Sequence, residues 1–124
     1  MNDQLNEKRR FRDAMNQRIL SGASKDTKRF FALDTAAYRQ GALDPITKEL
    51  MGLVGSLVLR CDDCVFYHLD QSVSLGASRE QVEESMQIGL VIGGSIVIPH
   101  LRQAWEALDL LIAERDEPAA EPES

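Results

Sequence analysis

The chain holds two cysteines, Cys61 and Cys64, and two histidines, His68 and His100. The C-x-x-C spacing serves two chemistries, half of a metal site or a redox pair, and ligand number separates them. A closed structural zinc site takes about four ligands. Here there is one cysteine pair, and His68 and His100 would complete a set only through a long-range fold-back, so a vicinal dithiol is the stronger reading. No metal and no cofactor is expected. If a helix starts near Cys61, Cys64 lies three positions on and His68 a further four, offsets that share one helix face and set the imidazole one turn above the Cys64 sulfur. A thiol in a first helical turn feels the positive end of the helix dipole and its unpaired N–H groups, which favour thiolate. Asp62 and Asp63 suit a helix start but oppose ionisation of the flanking thiols, so His68 is needed as local base or cation.

The fourth group is Glu49, twelve residues before Cys61. Along one unbroken helix that separation is roughly 18 Å, too far for contact. A break near Arg60 changes this. Folded as an antiparallel hairpin, the two segments bring Glu49 level with Gln71 and about one turn from His68. Cys64, His68 and Glu49 then have the makings of a thiol, a base and a carboxylate that orients the base. Glu49 near a helix start is also what simple dipole compensation would place there.

The elements that must position these residues read as helices throughout, with no strand alternation. The first covers residues 3–20, with Leu5, Phe11, Met15 and Ile19 on a rough stripe. Its cluster of Lys8, Arg9, Arg10 and Arg12 reads as a solvated face. A second, about residues 25–39, is expected to bury Phe30, Phe31, Leu33, Ala37 and Tyr38. Asp44 followed by Pro45 is an N-cap and first-turn proline for a third helix to about Leu59. That helix is apolar on most sides after Glu49, so it belongs in the core or between subunits. The fourth, about residues 62–75, carries the cysteines and His68 and stops at Gly76. Ser78 with Gln81 reads as a capping box for the fifth. Gly93-Gly94 breaks it, and a last helix from about Ser95 to Glu114 must accommodate Pro99. His100 has no motif partner and reads as structural or interfacial. From Asp116 the acidic, proline-containing tail reads as disordered. The expected architecture is an all-α bundle of about six helices, divided into an N-terminal helical arm (1–42), a helical core (43–115) and the tail (116–124).

Glu49, Cys61, Cys64, His68 and the trailing Gly93-Gly94 jointly resemble the alkylhydroperoxidase D-like, or carboxymuconolactone decarboxylase, family. The resemblance runs from Leu43-Asp44-Pro45 through Cys61-Asp62-Asp63-Cys64 and Gly76-Ala77-Ser78-Arg79-Glu80 to the double glycine. It implies a homo-oligomer, a hexamer ahead of a trimer. Members with the cysteine pair act as thiol-dependent peroxidases or disulfide reductases, whereas those that decarboxylate the aromatic-degradation lactone usually lack it. Carried over, Cys64 is the peroxidatic thiol, Cys61 the proton donor and resolving thiol, and His68 with Glu49 the proton relay. The substrate is a hydroperoxide or disulfide, and a separate thiol reductant protein restores the dithiol. Asp63 stands where characterised alkylhydroperoxidase D proteins tend to carry a further relay histidine. Two other readings stay open: a lactone decarboxylase-like enzyme using His68 and Glu49 alone, and a non-catalytic, redox-responsive helical oligomer.

Bulk properties agree with an ordinary globular domain of 124 residues, 44% hydrophobic and 27% charged. A net charge of −6 argues against nucleic acid or an anionic membrane as partner. The nearly apolar run from Ile88 to Pro99 falls short of the ~20 residues that span a bilayer. The charged start lacks the apolar stretch of a secretory signal, so a cytoplasmic setting is expected, where an accessible thiol pair is catalytic or redox-sensing rather than a staple.

Overall fold

A computed structural model describes residues 3–117. The fold is all-α, with six α-helices and one 3-10 turn: α1 (Asp3–Gly22), α2 (Lys25–Ala37), α3 (Pro45–Val58), α4 (Asp62–Ser74), α5 (Arg79–Gly93), the turn Ser95–Val97 and α6 (Ile98–Asp116). Local chemistry sets these limits. Asp44 accepts from the Thr47 N–H at 2.7 Å, which holds its carboxyl below the usual carboxylate range, and Pro45 opens α3. Ser78 and Gln81 form the reciprocal capping box of α5. After Gly94, at φ 81°, the chain makes the 3-10 turn before α6, and Pro99 falls in the first turn, where its missing N–H costs nothing. The expected helix from Ser95 thus begins three residues later. Its far end passes the expected start of the tail, since α6 runs to Asp116; the remainder of that tail, residues 118–124, lies outside the described residues.

The helices α3 and α4 form an antiparallel hairpin, with α5 against α3 and α6 against α4. The hairpin turns at Arg60, in the left-handed region at φ 60°. There the Cys61 N–H donates to the Ser56 carbonyl and the Arg60 N–H to the Leu57 carbonyl, a Schellman closure in a position that favours glycine. The same closure ends α4, where Gly76 sits at φ 103°. Arg60→Gly is therefore expected to raise stability by about 0.5–1 kcal/mol, since a left-handed Cβ costs more than glycine's extra chain entropy; chemical denaturation measures it. Leu53, Leu57, Leu69, Val82, Met86, Val97, Leu108 and Leu111 fill the core.

Two expectations for the N-terminal helices are corrected. No residue of α2 is buried: Phe30 is 69% and Leu33 65% exposed, because helical periodicity identifies an apolar face without supplying anything to cover it. The stripe on α1 is likewise open beyond the buried Leu5. The basic cluster, in turn, is not simply solvated. Arg9 forks onto Asp70 of α4 (3.0 and 2.8 Å) and Glu114 of α6 (3.1 and 2.8 Å). Lys8 lies 4.8 Å from the Phe66 ring centroid and Arg12 3.2 Å from that of Tyr67. These long side chains attach α1 to the bundle.

Arg9's hydrogen bonds hold the Glu114 carboxyl below its usual range, against the opposing effect of burial. A depressed carboxyl contributes stability that is present above its unfolded value and lost as pH falls through its folded one. The stability difference between wild type and Glu114→Gln is thus expected at neutral pH and should shrink below about pH 4, as read by urea titration at several pH values.

Candidate functional site

The Schellman turn at Arg60 hands the chain directly to α4, and Cys61 is the N-cap: its Sγ accepts the Cys64 N–H at 3.3 Å. Cys61 and Cys64 are joined as a disulfide with Cα atoms 5.3 Å apart. Cys64 is exposed and Cys61 half-buried. On the next turns of the same helix, Val65, Phe66 and Leu69 enter the core, which fixes the rotation of α4.

The antiparallel hairpin brings Glu49 and His68 closer than one turn. Glu49 Oε2 lies 2.8 Å from His68 Nδ1 within one chain, with the residues only 5% and 9% exposed. A carboxylate this deep has to be paired, and the imidazole is its partner. Facing a carboxylate, Nδ1 is the donor, and in the neutral ring Nε2 then keeps the lone pair, so the carboxylate selects the tautomer and orients the ring. Tyr38 stacks on the imidazole at 5.4 Å between centroids, and Tyr67 meets it edge-on at 5.2 Å. Burial, reinforced by the Glu49 charge, pushes both phenols up, so they remain hydrogen-bond donors.

The underside of the ring rests on Gly52. A Cβ at that position would meet His68 Cε1 at 2.5 Å, Nδ1 at 2.7 Å and Nε2 at 2.8 Å. Gly52 is therefore part of the site, and sequence reading overlooked it. The signal was present: Gly52 follows Glu49 by three positions, on the same face of α3. Tyr38, assigned to the core on spacing alone, packs on the histidine instead. His100 also has a partner, with Nδ1 2.7 Å from Asp62 Oδ1.

A cleft of about 300 Å³ opens over this constellation, lined by Cys64 and His68 with Arg12, Phe30, Phe31 and Tyr67 among its walls. Size does not mark the site: a larger hollow of about 660 Å³, between α1, α4 and α6, contains none of Glu49, Cys61, Cys64 and His68. The structure thus brings Glu49 onto His68, joins Cys61 to Cys64, and sets Cys64 and His68 in one cleft wall. Among the described residues no cluster of three histidine, cysteine or acidic side chains is arranged to hold a metal ion, and no helix is long and apolar enough to cross a membrane.

A model of the carboxymuconolactone decarboxylase family matches residues 27–107. A crystal structure of a protein of that family from Thermotoga maritima, for which involvement in an antioxidative response has been suggested, superposes with a TM-score of 0.84 at 50% identity, covering 94% of this chain and 99% of that one. A family protein from Legionella pneumophila, in its apo form, shares the fold at 24% identity and TM-score 0.80, covering 90% of this chain and 99% of the other. An uncharacterized protein of Cupriavidus necator is 33% identical over 78 residues, 63% of this chain and 69% of its own length.

Proposed function

The chain belongs to the carboxymuconolactone decarboxylase family, and from that premise we propose that it is a thiol-dependent peroxidase or disulfide reductase working through Cys61 and Cys64. The observation that carries this reading is the exposed Cys64, paired with Cys61 at the head of α4 and sharing a cleft with a carboxylate-held imidazole. The suggested antioxidative role of the Thermotoga relative points the same way.

In the proposed cycle His68 Nε2 takes the Cys64 proton, and Glu49 stabilises the resulting imidazolium. The Cys64 thiolate attacks the hydroperoxide; the S–O bond forms, the O–O bond breaks, and the alcohol leaves with a proton. Cys61 then condenses with the sulfenic acid, releasing water and closing the disulfide, which protects Cys64 from irreversible oxidation. A dithiol reductant returns two electrons and two protons by exchange. The uncovered Phe30, Leu33, Met51 and Val91 support a homo-oligomeric working form, for which a hexamer is proposed ahead of a trimer. A cytoplasmic setting would supply the reductant.

The test is a single turnover. Pre-reduced protein mixed with one equivalent of cumene hydroperoxide should consume it and lose two free thiols, and peptide mapping should find the Cys61–Cys64 bridge. Unreacted hydroperoxide beside intact thiols would overturn the reading. In that case decarboxylation of an acidic lactone by the Glu49–His68 pair becomes the reaction to assay.

A further inference from the structure

The proposed cycle uses one histidine and one carboxylate, yet the head of α4 has a second such pair. Asp62 is the first residue of α4, directly after the capping Cys61. Its Oδ1 is held by His100 Nδ1 at 2.7 Å, from the first turn of α6 and 38 residues away in sequence. His100 is the better shielded of the two, its side chain 23% exposed against 42% for Asp62.

A carboxylate beside two thiols opposes every thiolate formed there. Asp62 carries that liability next to Cys61, at the helix start that otherwise favours negative sulfur. An N–H donor that binds the carboxylate draws its charge toward α6 and leaves the helix's free N–H groups to the sulfurs. We propose that His100 is a positioning residue for the dithiol, holding the Asp62 carboxylate away from Cys61 and Cys64 so that they ionise and exchange. It touches neither sulfur in the arrangement described, and it acts through Asp62. The inference rests on the reading of Cys61 and Cys64 as a working redox pair.

A plain tie between α4 and α6 would require the same contact, so the experiment must read thiol ionisation. Reduced full-length protein is alkylated with iodoacetamide from pH 5 to 10, with the rate at each cysteine followed by mass spectrometry. Wild type, His100→Ala, Asp62→Asn and the double variant are compared, with thermal unfolding of each as a check on folding. His100→Ala is expected to slow alkylation near neutral pH by about three- to tenfold, corresponding to roughly half to one unit in the profile. Asp62→Asn should speed it, and adding His100→Ala to Asp62→Asn should then change nothing, because the carboxylate that His100 holds is gone while Asp63 is the same in both. The proposal is overturned if the His100→Ala profile superimposes on wild type, or if the slowing persists in the Asp62→Asn background as structural damage would. Alkylation needs no hydroperoxide, so a failure of the peroxidase reading would leave this result interpretable.

Discussion

Cys64→Ser is expected to lower hydroperoxide turnover by ~10³-fold or more, the scale on which removing a nucleophile acts. The fold should survive, because Cys64 is exposed and contributes nothing to the core. Cys61→Ser should behave differently. Serine is a good N-cap, so the head of α4 is retained, and Cys64 keeps its place in the cleft with His68. That variant should consume about one equivalent of hydroperoxide, stall as the sulfenic acid, and pass to sulfinic acid under excess oxidant because no resolving thiol is present. A dimedone adduct on Cys64 in Cys61→Ser is the diagnostic product. Undiminished turnover in Cys64→Ser would end the thiol mechanism, and a burst in Cys64→Ser with none in Cys61→Ser would exchange the two roles.

Gly52→Ala should damage the site directly. The new Cβ would overlap the His68 ring, and three neighbours oppose its displacement: Tyr38 stacks on it, Tyr67 abuts its edge, and Glu49 holds Nδ1. Either the imidazole leaves Glu49 or α3 and α4 separate. A stability loss of about 1–3 kcal/mol is expected. A displacement near 1 Å of the proton acceptor should lower peroxide turnover by roughly 10- to 100-fold. Gly55, one turn further along α3, supplies the control. A Cβ there meets nothing within 4 Å, so Gly55→Ala should be neutral or stabilising by up to about 1 kcal/mol. Equal effects at the two glycines would mean that helix propensity, not the histidine, explains the first.

The parts of the fold legible in the sequence are those written in local rules. Asp44-Pro45, the Ser78–Gln81 box and Gly76 each specify a helix end through neighbours within a few residues. The break near Arg60 was legible only indirectly, because no glycine marks it; what required it was the separation of Glu49 from Cys61. Once the hairpin is granted, period 3.6 nearly delivers the Glu49–His68 contact. Spacing could not supply the contacts made by long or planar side chains between distant segments. Arg9 reaches Asp70 and Glu114 across 61 and 105 residues, and His100 reaches Asp62 across 38. The stacking of Tyr38 on His68 depends on how the chain after α2 returns to α3, which composition does not encode. The apolar pattern of α2 identifies a face but not its burial: Phe30 forms part of the wall of the Cys64 cleft while remaining mostly exposed.

In the proposed cycle the sulfur of Cys61 is at once a redox atom and the cap of a helix. This gives thiol–disulfide exchange a direction. An incoming reductant thiolate meets the exposed Cys64 first, and the electron pair it displaces must settle on the other sulfur of the bridge. That sulfur already receives the Cys64 N–H at the positive end of α4, so the departing charge is solvated by backbone as it forms. Exchange is faster when the leaving thiol is the more acidic one. Within that cycle the helix start favours Cys61 as the exit for charge and Cys64 as the point of attack, an asymmetry built from one hydrogen bond.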